Sequence, residues 1–119
     1  MAGWNLALRF GLEMAALVGI AMGAWGLAPG STRWPAVVVV PLLAAAAWGT
    51  FNVVDDPSRS GEAPVEVGGT VRLAIEVAIL GAGAVGFVVA GHIVVAVVFA
   101  ALPAIHYAAS SARLAWLLA

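Results

Sequence analysis

Residues 71–88 have the sequence VRLAIEVAILGAGAVGFV, an apolar run in which Arg72 and Glu76 are the only charges. The apolar segment from about 70 to 90 is long enough to cross the hydrocarbon core of a bilayer as a helix. Such a crossing requires roughly 20 mostly apolar residues. Three further segments of sufficient length lie at about 5–27, 34–54 and 92–118. The sequence therefore predicts four membrane-spanning α-helices.

The composition of the whole chain supports this prediction. Its 119 residues are 64% hydrophobic and 9% charged, whereas a soluble domain is about 45–50% apolar and about 25% charged. The net charge of −1 gives no basic excess for binding nucleic acid. The absence of cysteine excludes disulfides and thiolate metal sites. No metal-ligand spacing or phosphate-binding glycine loop is present, so the sequence predicts neither a metal nor a cofactor.

The connections between the predicted spans are short, long and short. Residues 28–33 form the first and Gly91 and His92 the last, whereas 55–69 is the one long polar segment. We predict a single four-span domain over residues 1–119, an all-α integral membrane four-helix bundle with both termini on one side. That side carries four of the five basic residues, which places the termini and the 55–69 loop in the cytoplasm.

The 55–69 loop contains most of the acidic residues of the chain. Its proline, glycine and serine content argues against a regular helix or strand. We interpret its carboxylates as parts of a solvated connection without a binding role. They belong to Asp55, Asp56, Glu62 and Glu66.

An internal repeat relates the first predicted helix to the third. Residues 8–25, LRFGLEMAALVGIAMGAW, align with residues 71–88 so that Arg9 coincides with Arg72 and Glu13 with Glu76. Because the two helices lie one hairpin apart, they cross the membrane in the same direction. We therefore predict two helical hairpins related by a pseudo-twofold axis along the membrane normal.

Small residues recur at a spacing of four in the same two helices. Such ridges let helix backbones approach closely, although an alanine-rich chain also produces them by chance. Because the step from Gly11 to Glu13 is about 200°, we expect the charged face to lie nearly opposite the ridge and both faces to be covered in a bundle or a homo-oligomer. The predicted ridges are Gly11, Ala15, Gly19 and Gly23 in the first helix and Ala74, Ala78, Ala82, Gly86 and Ala90 in the third.

The two Arg–Glu pairs, Arg9 with Glu13 and Arg72 with Glu76, form the candidate polar site. Charged groups at membrane depth cost about 2.5–3.5 kcal/mol on insertion scales and usually face the bundle interior. The pairs either fix helix register or handle an ion, a proton or a substrate head group. Their spacing allows pairing within each helix and between helices. We predict that Glu13 and Glu76 act as one interacting site.

His106 and its neighbour Tyr107 complete the candidate site. Pro103, one turn earlier, removes a backbone hydrogen bond and is expected to kink the helix. One interpretation of His106 is a neutral ring bonded to the freed backbone, and the other is a proton relay or ligand. Trp25, Trp48 and Tyr107 are candidate pocket-lining residues. The alternative for Trp48 is an anchor at the membrane interface.

At these residues the chain resembles the YrdB-like family, small bacterial membrane proteins classed as a domain of unknown function. The shared features are LRFGLE at 8–13, WGTF at 48–51 and RLAIE at 72–76, and the resemblance extends over nearly the whole chain. It implies a four-span membrane protein and no particular activity. The polar 55–69 loop departs from the shorter basic connection expected there. Small multidrug-resistance transporters are similar only in length, span count and a glutamate in the first helix.

The sequence leaves three functions open, and whether the protein is an enzyme is undecided. An oligomeric transport or permeation protein, with Glu13 and Glu76 as coupling groups, ranks first. An intramembrane enzyme or lipid-binding protein that uses these glutamates as acid groups on an apolar substrate ranks second, and a structural or accessory subunit third. A continuous pore would favour transport, and a pocket closed at one end would favour an enzyme or lipid-binding protein. A fully packed core would favour a structural or accessory subunit. The expected partners are the lipid bilayer, further copies of the chain and a small apolar or ionic ligand.

Overall fold

The protein is described by a computed structural model over residues 3–57 and 63–119, and most of it is helical. The all-α prediction is therefore confirmed. Two short strands follow α2 and precede α3, and a 3-10 turn at Gly30–Thr32 precedes α2. The helices are α1 (Gly3–Leu27), α2 (Arg33–Thr50), α3 (Gly69–Val89), α4 (Ile93–Ala109) and α5 (Ser111–Leu118), and the strands are β1 (Phe51–Asn52) and β2 (Val65–Glu66).

Three segments are long and apolar enough to cross a membrane, by length and composition: α1, the Gly30–Thr50 stretch that contains α2, and α3. Helices α4 and α5 pass the same test only as a pair, and they are bent by 79° at the break between them. The sequence predicted one helical span over about 92–118, with a kink at Pro103. The helices of the described residues are therefore compatible with three or four membrane crossings, depending on whether α4 and α5 together form one span.

The break between α4 and α5 lies at Ser110, not at Pro103. Pro103 sits inside α4 without ending it. Ser110 has φ −113° and ψ 33°, outside the helical region, and its hydroxyl donates to the carbonyl oxygen of His106 at 2.8 Å. Serine side chains compete in this way with the hydrogen bonds of the helix. The serine thus accounts for the bend between α4 and α5, a break that the sequence did not predict.

Helices α1 and α3 approach each other most closely where both carry glycine. A Cβ atom at Gly86 would overlap the carbonyl oxygen of Gly19, and one at Gly23 would lie 2.7 Å from the Cα of Gly86. A Cβ at Gly83 would lie 2.8 Å from the Cα of Ala16. No larger side chain fits between these backbones, which is the packing that small residues permit in membrane helices.

The contact uses only part of the predicted ridges. Gly19, Gly23 and Gly86 lie in it, whereas Gly11 has open space beside it. Ala82 is exposed on α3, and the contact with α1 is made by Gly83.

The charged face of α1 is not opposite the ridge, so that expectation was wrong. Arg9, Ala16 and Gly23 are all buried, and at about 100° per residue the last two lie within about 40° of Arg9 around the helix. A spacing of four drifts by about 40° at each step. A ridge that begins opposite Arg9 at Gly11 has therefore turned onto the face of Arg9 by Gly23.

The connection between α2 and α3 contains regular structure, contrary to the sequence prediction. Strands β1 and β2 pair in parallel, with Phe51 opposite Val65 and Asn52 opposite Glu66. The pairing continues where the Val67 amide donates to the carbonyl oxygen of Asn52 at 2.9 Å. Residues 58–62, which include Glu62, lie outside the described residues. The strand pair folds the loop back against the end of α2.

Candidate functional site

A cluster of buried charged side chains lies where the start of α1, the end of α2, the start of α3 and α5 meet. Each of its members exposes 5% or less of its surface. They comprise three guanidinium groups and two carboxylates, so the cluster as a whole carries a positive charge at neutral pH. Its members are Arg9 in α1, Asp56 in the loop after α2, Arg72 and Glu76 in α3, and Arg113 in α5.

Glu76 is the centre of this cluster, hereafter the Glu76 cluster. Its Oε1 accepts hydrogen bonds from Arg9 at 3.1 Å, Arg113 at 3.0 Å and the Tyr107 hydroxyl at 2.7 Å. Its Oε2 accepts from Arg9 at 2.9 Å, Arg113 at 2.7 Å and Arg72 at 2.7 Å. A carboxylate offers about four lone-pair sites, so these six donors occupy it fully. Through them one carboxylate joins α1, α3, α4 and α5.

Arg72 connects the cluster to α2. Its Nη1 donates to the carbonyl oxygens of Trp48 at 2.6 Å and Phe51 at 3.0 Å. Carbonyls at the end of a helix lack partners within the helix, and a cation there also interacts favourably with the helix dipole. The start of α3 therefore caps the end of α2.

The Trp48 ring packs against two of the arginines. The guanidinium carbon of Arg9 lies 5.1 Å from the ring centroid and that of Arg72 lies 4.9 Å from it, within the range of cation–π attraction. Trp48 is 2% exposed. Its ring therefore forms a wall of the cluster. The alternative that Trp48 anchors the protein at the membrane interface required an exposed ring, so that alternative was wrong.

Arg113 binds a second carboxylate, that of Asp56. Its Nε donates to Oδ1 at 2.8 Å and its Nη2 to Oδ2 at 2.7 Å, the forked geometry that guanidinium and carboxylate groups favour. The sequence interpretation of Asp56 as a solvated loop residue was wrong, because Asp56 is 2% exposed. The neighbouring Asp55 is exposed and adopts a left-handed φ of 63°, which aspartate tolerates in turns.

His106 is engaged at both ring nitrogens. Its Nδ1 lies 2.7 Å from Oδ1 of Asn5 and its Nε2 lies 3.4 Å from Nη1 of Arg9. Because arginine only donates and an amide oxygen only accepts, these contacts assign a neutral ring with the proton on Nδ1. The Asn5 amide donates to the Ser110 hydroxyl. The partners of the ring are thus side chains, and not a carbonyl freed by Pro103.

The structure brings together most of the residues that the sequence singled out. Arg9, Arg72 and Glu76 belong to the Glu76 cluster, and two further candidates contact it. His106 lies against Arg9, and Tyr107 donates to Glu76. Both predicted pairing modes occur, since Arg9 binds Glu76 from another helix and Arg72 binds it from one turn away in α3.

Two of the candidate residues lie apart from the buried set. Glu13 keeps a partly exposed surface. Trp25 lies more than four helical turns from Arg9 along α1. It packs edge-to-face on Trp34 at 4.8 Å, with the guanidinium carbon of Arg33 5.0 Å from its ring centroid. Trp25 and Trp48 therefore do not line one pocket.

Sequence reasoning missed four polar residues that contribute to the cluster. One signal was available, because the predicted spans contain three arginines and only two glutamates. One buried guanidinium therefore had to find a carboxylate outside the spans. The short polar side chains at span ends gave no comparable signal. The missed residues are Asn5, Asp56, Ser110 and Arg113.

Comparison with known proteins identifies the family. The model of a family described as "Protein of unknown function (DUF2568)" matches residues 7–104, so the chain belongs to this family. "Uncharacterized protein YrdB" of Bacillus subtilis (strain 168) is 37% identical over 114 residues, which cover 96% of this chain and 93% of that protein. The resemblance seen in the sequence is thereby confirmed. No solved structure matches the chain.

Proposed function

We propose that this protein is a multi-pass protein of the cell membrane with a structural or accessory role, and that the Glu76 cluster locks its helices into one bundle. The single observation that carries the proposal is the Glu76 carboxylate, which accepts hydrogen bonds from α1, α3, α4 and α5. Of the three functions open on the sequence, a packed polar core supports this one best.

Transport with Glu76 as a coupling group receives less support from the same geometry. A carboxylate that carries a proton or an ion must exchange partners during each cycle. Six donors surround Glu76, and its hydrogen-bonding capacity is filled by them. Protonating it would leave three guanidinium groups with one carboxylate fewer in a buried site, where unpaired charge is costly.

The surface of the helices supports the membrane location. Large apolar side chains are widely exposed, including Phe10 at 62%, Leu43 at 65% and Val94 at 73%. Helix α2 buries only Trp48 among its residues. Contiguous apolar surface of this kind is unfavourable in water and favourable against lipid or another membrane helix.

Helices α1 and α3 support the two-hairpin arrangement with a pseudo-twofold axis. They carry the aligned segments and pack directly on each other through Gly19, Gly83 and Gly86. The basic residues Arg9, Arg72 and Arg113 lie at one end of the helices and Arg33 at the other. The bias of basic residues toward the cytoplasm orients the Glu76 cluster and both termini inward.

Topology reporters test the membrane arrangement. Fusions at residue 60 and after Ala119 should both report a cytoplasmic location, and the protein should stay in the membrane fraction after an alkaline carbonate wash. A periplasmic signal from either fusion, or release by carbonate, would overturn the arrangement.

A carbodiimide tests the lock against the transport alternative. Hydrophobic carbodiimides modify protonated carboxyl groups in the membrane, so a carboxylate that cycles through a protonated state becomes labelled. We expect Glu76 to stay unlabelled in the folded protein and to react once the protein is unfolded, as read by mass spectrometry of its peptide. The partly exposed Glu13 is the internal comparison. Rapid labelling of folded Glu76 would contradict the lock and favour coupled transport.

A further inference from the structure

The end of the molecule opposite the Glu76 cluster has a different chemistry. It is formed by the end of α1, the start of α2 and the turn between α3 and α4, residues 27–37 and 88–95. Both ranges are fully described, and neither contains an acidic residue. Arg33 is the only arginine or lysine in them.

Arg33 differs from the arginines of the Glu76 cluster because no described carboxylate pairs with it. Its guanidinium carbon lies 5.0 Å from the centroid of the Trp25 ring. Its Nε is buried and has no hydrogen-bond partner in the described part of the chain. A buried donor without an acceptor is unfavourable, so an oxyanion that reached this group would gain a charge-assisted hydrogen bond.

The Trp25 ring that contacts Arg33 also lines an apolar groove of about 530 Å³. The other walls come from α1, from α2 and from the turn that leads into α4. They include Val18, Met22, Val37, Ala90 and His92. The apolar groove therefore shares its Trp25 wall with a cationic group, Arg33, at the end of the helices.

We propose that this groove binds one acyl chain of an anionic phospholipid and that Arg33 holds the phosphate of its head group. A phospholipid supplies both chemistries that the site presents, an apolar chain and an oxyanion, in the right order along the helix axis. Trp25 and Trp34 pack edge-to-face at 4.8 Å beside Arg33, and tryptophan favours the level of the head groups. The inference rests on the membrane location proposed above.

The charges around the groove favour an anionic head group over a zwitterionic one. Helices α2 and α4 both begin at this end, and neither has a side-chain cap on its first amides. Helix N-termini attract negative charge. An ammonium group would find no carboxylate in residues 27–37 or 88–95. The site therefore distinguishes phosphatidylglycerol from phosphatidylcholine.

Native mass spectrometry of the detergent-purified protein measures this preference directly. Phosphatidylglycerol and phosphatidylcholine with identical acyl chains are added separately, and the fraction of protein with one bound lipid gives the relative affinity. We expect phosphatidylglycerol to bind about fivefold more tightly, the factor that one basic residue contributes near an anionic membrane surface. Equal affinities for the two lipids would overturn the proposal.

Matched variants assign the head-group contact. Arg33→Gln should abolish the preference for phosphatidylglycerol, whereas Arg33→Lys should keep part of it. Ser31→Gln, at an exposed position of the same connection, should leave the preference unchanged. A preference that survives in Arg33→Gln, or disappears equally in Ser31→Gln, would contradict the assignment to Arg33.

A groove-filling variant assigns the acyl chain. Ala21 also lines the groove, so Ala21→Phe should weaken binding of both lipids several-fold. Val98→Phe adds an aromatic ring in a different groove, lined by α1, α3 and α4, and should leave binding at the first groove unchanged. Unaltered binding in Ala21→Phe would overturn the acyl-chain assignment. If Ala21→Phe does not fold, the Arg33 variants still decide the proposal. The carbonate wash tests the membrane location separately.

Discussion

Helices α1 and α3 carry the same Arg–Glu spacing but use it differently. Glu76 in α3 is fully buried and accepts hydrogen bonds from both Arg9 and Arg72. Glu13, its counterpart in α1, keeps a partly exposed surface. The repeated pattern thus brings the arginines of both helices to the Glu76 carboxylate.

The rotation of each helix about its own axis accounts for the difference. On α1 the buried face runs through Arg9, Leu12 and Ala16, and Glu13 lies about 100° beyond Leu12. On α3 both Arg72 and Glu76 belong to the buried face. A shared sequence spacing therefore sets how deep a side chain lies along the helix, while packing decides which side chain is enclosed.

The largest expected effect follows from removing the charge of Glu76. Glu76→Gln leaves three buried guanidinium groups with Asp56 as the remaining carboxylate of the cluster. Breaking a buried ion pair from one side typically costs about 3–5 kcal/mol. We expect a loss of this size in the free energy of unfolding, measured by chemical denaturation in detergent with circular dichroism. The matched change Glu13→Gln should cost less than about 1 kcal/mol, because Glu13 lies at a partly exposed position. If both variants lost a similar free energy of unfolding, the two helices would not use their glutamates differently.

The glycine contact between α1 and α3 gives the next largest effect. Gly86→Ala places a Cβ against the carbonyl oxygen of Gly19, so the helices must separate, and overpacking of this kind typically costs about 1–3 kcal/mol. Gly81→Ala on the same helix meets open space and should be neutral or slightly stabilising. The measurement is the midpoint of thermal unfolding in detergent. Equal midpoints for the two variants would show that the backbones are not in close contact.

Adjacent aspartates in the loop give a smaller contrast. Asp56→Asn keeps one acceptor for Arg113 but removes the charge, and we expect a loss of about 1–2 kcal/mol. Asp55→Asn should change stability little, because Asp55 is exposed and asparagine tolerates the same left-handed backbone. Both variants are compared by chemical denaturation. A larger effect at Asp55 would contradict the burial of Asp56.

The smallest effect tests whether Glu13 and Glu76 form one interacting site, as the sequence suggested. When Glu76 is replaced by Gln, Arg9 loses a buried carboxylate, and its attraction to Glu13, one turn away on its own helix, is no longer shared with Glu76. Glu13→Gln should then cost about 0.5–1 kcal/mol more than it does in the wild-type background. Strict additivity of the two changes would instead indicate independent positions.

Much of the fold could be predicted because long, nearly uncharged apolar segments favour long helices. The segments around 5–27 and 70–90 correspond closely to α1 (Gly3–Leu27) and α3 (Gly69–Val89). The bend at Ser110 was missed because it depends on a hydroxyl that bonds to a carbonyl one turn earlier. Serine at such a position is common in straight helices as well, so its presence alone does not predict a break.

The sequence predicted which charged residues of the helices belong to the candidate site better than it predicted which of them bind each other. Arg9, Arg72 and Glu76 stand out because charge inside an apolar span needs a partner. Which carboxylate each arginine binds depends on helix rotation, and Asp56 enters only because the loop folds back after β1. Neither helix rotation nor loop folding leaves a periodic trace in the sequence.

A double-mutant cycle between Arg9 and Glu76 tests the lock most directly. Their side chains are in direct contact at 2.9 Å, so Arg9→Gln and Glu76→Gln remove the same interaction. If Glu76 locks the helices, the double variant should be less destabilised than the sum of the single variants by about 1–3 kcal/mol. Arg33→Gln with Glu76→Gln, at opposite ends of the helices, should be additive. Additivity of Arg9→Gln with Glu76→Gln, to within about 0.5 kcal/mol, would contradict the lock.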